Sequence, residues 1–204
     1  MTRTPPFLED PSTTREAIMK ATYHALCEHG YADLTIQRIG DEFEKSKSLL
    51  YHHYDSKDDL LLDFLDFMLE RFEDRLPYPQ GESVTEHLDA ILDRVLVAPS
   101  AEESGDFAQA MVELRAQASH DAEFRDHFTR SDQFFRKQIA RIIREGTEQG
   151  VFREVDSRQT AATIHAIVVG TMTQRVTTDD DRTDLIRAEV DRYLRNCVLV
   201  AENP

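Results

Sequence analysis

The chain has 204 residues and carries a net charge of −15, from 39 acidic and 24 basic side chains. That length buries a substantial core without disulfides or structural metal, and that charge excludes a protein whose whole surface is built to hold nucleic acid or an anionic membrane. Two cysteines, Cys27 and Cys197, stand too far apart to suggest a disulfide framework or a metal-ligand spacing.

Residues 1–13 include Pro5, Pro6 and Pro11 and read as a flexible arm, without the apolar centre of a signal peptide. From Thr14 a helix is expected, capped by Ser12, Thr13 or Thr14, with Ile18, Ala21, Ala25 and Leu26 on one face. Cys27 lies in that stripe and reads as a small core residue. Gly30 can end the helix by taking a positive φ. Thr35 caps a short second helix bearing Ile36, Ile39 and Phe43. After a tight break at Glu44-Lys45-Ser46, Ser46 can cap a third, "KSLLYHHY", whose apolar face is Leu50 with Tyr51 or Tyr54. Ser56 caps a fourth, with Asp58 and Asp59 in its first turn, where negative charge suits the helix dipole. Leu61, Phe64, Leu65, Met68 and Phe72 carry that helix to Arg75.

Two short helices separated only by a sharp bend make a helix-turn-helix. Beyond it, helices are expected near 82–98, 102–117, 121–149, 157–177 and 182–201; Gly150 ends the long one, and Asp156 or Ser157 caps its successor. The fold class is therefore all-α: an N-terminal three-helix domain with a helix-turn-helix, then a larger helical domain. No apolar run reaches eighteen residues, because Asp63 and Asp66 interrupt the greasiest stretch. A soluble, cytoplasmic protein without membrane contact is expected.

The stretch "REAIMKATYHALCEHGYADLTIQRIGDEFEKSKSLLYHHYDSKDDLL" resembles, in unbroken register, the N-terminal region of the TetR family of transcriptional regulators. Gly30-Tyr31 matches the family's aromatic after glycine, "LTIQRIGDEF" its first helix of the pair, and "SKSLLYHHYDSKDDL" its recognition helix with the following cap. A weaker echo is "EGTEQGVFREVDSRQTAATIHAIVVG". The resemblance implies a flexible arm at 1–13, a DNA-binding domain at 14–55 and an effector-binding and dimerisation domain at 56–204. It also implies a homodimeric, ligand-responsive repressor on a palindromic operator. Lys45, Ser48 and Leu49 depart from the family's usual residues at the start of the recognition helix. The carboxylate-rich texture, with arginines outnumbering lysines nineteen to five, resembles that of a halophilic archaeal protein, whose self-repulsion molar salt screens within about 3 Å.

Three of the five lysines, Lys45, Lys47 and Lys57, fall in residues 44–62 among histidines, tyrosines and serines. A recognition helix enters the major groove by its N-terminal end, where lysines and hydroxyls add contacts to phosphate. Lys45, Ser46, Lys47 and Ser48 occupy that end, and Tyr51 and His52 follow one turn on. Thr35, Gln37 and Arg38 are candidates for backbone contact from the preceding helix. Lys57 occupies a position that resembles the family's phosphate-contacting lysine. The bland alternative for each is a solvated or packing side chain. Residues 1–55 hold six basic against nine acidic side chains, so Asp41, Glu42 and Glu44 must face away from phosphate.

In the larger domain the last two helices carry the expected dimer interface: Ile164, Val168, Met172, Leu185, Tyr193, Leu194 and Val198. Met68, Phe72, Phe107, Met111, Phe128, Phe135, His165 and Met172 are the candidates for a pocket taking a small hydrophobic effector, ordinary core being the alternative. An enzyme is not expected. No nucleophile motif or glycine-rich phosphate loop is present, and His120 and His127 read as exposed. No cofactor is implied, nor a metal, since His52 and His53 point about 100° apart on a helix. A helical adaptor of the same fold without DNA or ligand response is the rival reading.

Overall fold

Helix starts fall where a side chain can accept the first free backbone N–H groups. The computed structural model describes residues 4–44, 46–74, 83–96 and 101–200, and Lys45 and Arg75 lie outside them. In chain order the helices are α1 (Pro6–Glu9), α2 (Thr14–Asp33), α3 (Ile36–Glu42), α4 (Ser48–His53), α5 (Lys57–Asp74), α6 (Val84–Leu96), α7 (Ala101–Gln117), α8 (Ala122–Glu148), α9 (Ser157–Thr177) and α10 (Thr183–Tyr193). Thr13 caps α2 in a capping box with Glu16. Thr35 accepts from Arg38 N, Ser56 from Asp59 N, Ser83 from Glu86 N, and Asp156 from Arg158 N and Gln159 N. Ser46 does not cap α4: Lys47 holds the cap position without a side-chain bond, and the Ser46 hydroxyl pairs with that of Ser48 at 2.7 Å.

The chain divides into two compact units. The first comprises residues 1–77 and 100–128, so α5, assigned by sequence to the second domain, packs with the helix-turn-helix. Helix α2 is its axis. Ile18, Met19, Ala21, Tyr23, Ala25 and Leu26 are all buried, because α1, α3, α5 and α7 pack on different sides of it. Phe64, Phe67 and Phe124 are fully buried around it, each contributing about 1.5–3 kcal/mol by leaving water. Burial pushes the Cys27 thiol up to about 12, which makes it an inert core residue.

The N-terminal segment is not loose where it is described. Residues 6–9 form α1, with Pro6 at its first position, where no N–H is needed. Leu8 is fully buried, and Lys20 Nζ donates to Glu9 O at 2.7 Å. His127 is likewise not exposed: it is 3% accessible, and its Nδ1 lies 2.6 Å from Asp66 Oδ1.

The second unit comprises residues 78–99 and 129–204. Its core includes Leu88, Leu92, Ile139, Ile143, Phe152 and Ala161. Ile164, Val168, Leu194 and Val198, expected at a dimer interface, are 1%, 8%, 5% and 0% exposed and belong to this core. Apolar spacing identifies a buried face but not which chain buries it. The last helix ends earlier than the spacing suggests. After Tyr193 it becomes a π-helical turn, Leu194–Val198, and the chain leaves to bond with the segment after α8. Arg153 N donates to Val198 O at 2.7 Å, and Val200 N to Val151 O at 3.0 Å. Phe152 is thereby pressed onto α8 so closely that a Cβ at Gly146 would lie 2.2 Å from its ring. Arg187 bonds to Asp89 and Asp93 of α6 and to Asp191 of its own helix.

Two stability measurements test these contacts. Glu16 is held down at about 2, first by the Ser12 hydroxyl, then by the backbone N–H groups of Ser12 and Thr13, and by Arg71. A depressed carboxylate contributes stability above its ordinary range near 4.5 and loses it as pH falls toward 2. Glu16→Gln should therefore unfold at lower urea than the parent at pH 7, with the gap closing between those two values. Gly146→Ala should cost about 1–3 kcal/mol in denaturant unfolding despite the better helix propensity of alanine, because the Phe152 ring has to move.

Candidate nucleic-acid interface

Helix α4 is six residues long, too short to hold itself in water. Its direction comes from what it buries. Leu50 is fully buried and Leu49 and Tyr54 pack against the same core. The Tyr54 hydroxyl donates to Asp63 Oδ2 of α5 at 2.5 Å, and Arg15 of α2 bonds the same carboxylate, its Nη2 at 2.7 Å from Asp63 Oδ1. Burial and that carboxylate both push the Tyr54 phenol upward, so it stays protonated. Helix α3 approaches α4 closely at Gly40, where a Cβ would meet Lys47 Cγ at 3.1 Å and Leu50 Cδ1 at 3.4 Å.

With Leu50 turned inward, the other face of α4 is left to solvent. Ser48, Tyr51 and His52 lie on it at helical spacing, and Tyr51 is 60% exposed, an unusual state for so large a side chain. Ser46, Lys47, Thr35 and Gln37 are exposed as well. The cations differ from one another. Lys47 Nζ pairs with Asp41 across the turn, and both side chains stay about half accessible. Arg38 donates to Asp33 O at the end of α2. Lys57 Nζ donates to Tyr31 O at 3.0 Å and lies 3.9 Å from the centre of the Tyr31 ring. Of the ten positions expected at DNA, the structure thus leaves seven on open surface, turns Arg38 and Lys57 toward the chain's own carbonyls, and does not describe Lys45. Gly40 and Asp63, which position α4, escaped the sequence reading; a glycine inside a seven-residue helix is the only signal of the first.

The expected pocket positions fall in both units. In the first, Phe128 is buried, Met68, Phe107 and Met111 pack against the core, and Phe72 is half-buried. In the second, Phe135 stacks on His165 at 6.5 Å between ring centres, His165 Nε2 lies 3.5 Å from Asp132 Oδ1, and Met172 is half-buried. A cleft of about 390 Å³ in the first unit is lined by Cys27, Gly30, Asp106, Gln109 and Glu113 among others. A second of about 390 Å³, in the other unit, is lined by Leu88, Asp89, Phe152, Arg187 and Leu194 among others. None of the expected pocket residues lines either one. Among the described residues no helix is long and apolar enough to cross a membrane, and no group of three or more His, Cys, Asp or Glu could hold a metal ion.

Comparison with known proteins agrees with this geometry. A family model described as bacterial regulatory proteins, tetR family, matches residues 18–64, and one described as the C-terminal part of BetI-type transcriptional repressors matches residues 84–199. The crystal structure of a TetR transcription regulator from Haloarcula marismortui is 38% identical, with a TM-score of 0.82 over 90% of this chain and 97% of that one. The HTH-type transcriptional repressor AcnR of Corynebacterium efficiens is 29% identical over 143 residues, which is 68% of this chain and 70% of AcnR. A transcriptional regulator from Saccharomonospora viridis, solved in complex with choline, shares the fold with a TM-score of 0.80 at 22% identity, over 94% of this chain and 100% of that one.

Proposed function

The chain belongs to the TetR family of DNA-binding transcriptional regulators and is not an enzyme; from that premise we propose that it is a repressor that reads a palindromic operator as a symmetric dimer, one α4 in the major groove of each half-site. The observation that carries the reading is the open face of α4, with Tyr51 60% exposed beside Ser48 and His52 while Leu50 is fully buried behind them. Ser46, Lys47, Tyr51 and Thr35 supply the phosphate contacts, and Gln37, Ser48 and His52 stand nearest to base edges. Lys47 exchanges Asp41 for phosphate on binding.

The dimer face we infer is the solvent side of α9 and α10. Ala162, Ala166 and Gly170 are exposed at four-residue spacing on α9, and Leu185 of α10 is 69% exposed. Small side chains let a partner helix approach closely, and an exposed leucine gains by being covered. Met172 and Tyr193, half-buried in the chain, flank that face. We also infer a response to a small hydrophobic effector near Phe135 and His165 of the second unit, whose rings stack, which shifts the dimer toward a spacing of recognition helices that no longer fits the operator. A thermal-shift screen against hydrophobic metabolites, followed by release of operator DNA, tests it; a domain that takes none of them removes this part of the reading.

Gel shift with the DNA upstream of its own coding sequence, across salt concentrations, tests the main proposal. Few cations reach phosphate, so log K should fall with log salt by a slope well under the roughly ten of a heavily basic repressor. Lys47→Ala should lower that slope by about two per dimer, at about 0.9 per lost contact, and Tyr51→Ala should weaken binding roughly tenfold or more by removing a bond to a charged phosphate. A slope near ten in the parent refutes this account. Gly170→Arg tests the dimer face separately, since an added Cβ there meets nothing within 4 Å in its own chain. Size-exclusion chromatography should give a folded monomer with operator binding lost; a persistent dimer rejects the face.

A further inference from the structure

Residues 31–35, from the kink in α2 to the cap of α3, decide where the helix-turn-helix begins, and they are gripped from three sides within the first unit. At Gly30 the backbone takes φ 66 and ψ 171, so α2 kinks and the Tyr31 N–H no longer points along its helix. That N–H donates to Glu113 Oε2 of α7 at 2.7 Å. Glu113 is itself held, with Gln109 Nε2 donating to its other oxygen at 3.0 Å. The same carboxylate lies 3.0 Å from where a Cβ at Gly30 would sit, so the kink and the grip are built together. On the other side, the Tyr31 carbonyl accepts from Lys57 Nζ at 3.0 Å, the Tyr31 ring lies under that ammonium at 3.9 Å, and the Tyr31 hydroxyl donates to Asp58 Oδ1 of α5 at 3.2 Å. Phe124 meets the Tyr31 ring edge-on at 6.4 Å. Two residues on, the Asp33 carbonyl accepts from Arg38 of α3.

We propose that Lys57 and Glu113 are positioning residues for DNA binding: they clamp the backbone of Tyr31, and through the four-residue link to Thr35 they set the start of α3 and hence the angle at which α4 is offered. This deepens the DNA-binding reading and rests on it. It also changes the role of Lys57. Its ammonium, engaged by a carbonyl and an aromatic face, acts through Tyr31 and not as a phosphate contact.

Counterion release separates the two roles, because a cation leaving phosphate lowers the salt slope whereas a positioning residue does not. The test uses the full-length protein and its upstream DNA, with fluorescence anisotropy over a salt series for Lys57→Met, Lys57→Arg, Tyr31→Leu and the double variant Lys57→Met/Tyr31→Leu. Lys57→Met should weaken binding about fivefold or more with the slope unchanged. Lys57→Arg, which keeps a cation over the ring, should restore most of the affinity. The double variant should be no weaker than the worse single one, as expected of two residues acting as one unit. A slope reduced by about 1.8 per dimer, or losses that add, overturns the proposal.

A second measurement needs no DNA and stands if the operator reading fails. In Glu113→Gln the exchange of the Tyr31 amide hydrogen should quicken about tenfold while global unfolding in urea is unchanged. Unaltered protection of that amide overturns the clamp even if the parent binds its operator.

Discussion

Leu50 is the point about which the proposed DNA-reading surface turns. Helix α4 makes too few hydrogen bonds to be stable alone, so its rotation about its own axis is fixed by burying this one side chain completely. Everything on the opposite side, Ser48, Tyr51 and His52, is exposed as a consequence. The neighbours reinforce the setting. Gly40 lets α3 come close enough to close over Leu50, and Asp63 gathers the Tyr54 hydroxyl and Arg15 on one carboxylate. Surface ion pairs of this kind contribute little singly; here they act by direction, holding the end of α4 against α5 and α2.

The same unit shows how an acidic protein can present a binding face to a polyanion. Among the described residues its cations are mostly committed to its own chain, Arg15 to Asp63 and Glu70, Arg71 to Glu16, Lys47 to Asp41, and Lys57 to Tyr31. Those described cations add little free positive charge to draw DNA from a distance. In the proposed reading, recognition then depends on shape and on short contacts made after docking, which places a premium on the angle of α3 and α4. The grip on residues 31–35 is the structural counterpart of that demand.

In the second unit the division between core and surface runs through single helices. Helix α9 has its apolar residues spread around its axis, so its sequence does not single out one buried face. Within the chain, Ala161, Ile164 and Val168 take the covered side, and Ala162, Ala166 and Gly170 are left exposed. Those small exposed positions are the part of α9 that we propose a partner helix covers.

Sequence alone determined the helices from α2 onward, their order and most of their ends, because capping side chains and positive-φ glycines act over four or five residues and need no tertiary partner. It also located the polar segment 46–52 and, through its register, the family. Tertiary structure decided which apolar face meets which neighbour: Ile164, Val168, Leu194 and Val198 went to the core of their own chain, Leu8 pinned an arm expected to be free, and His127 was drawn in beside Asp66. It also decided what each cation does. Lys47 and Lys57 look alike in the sequence, yet one stands on the surface and the other is drawn under Tyr31, a choice made by a residue twenty-six positions away in the chain.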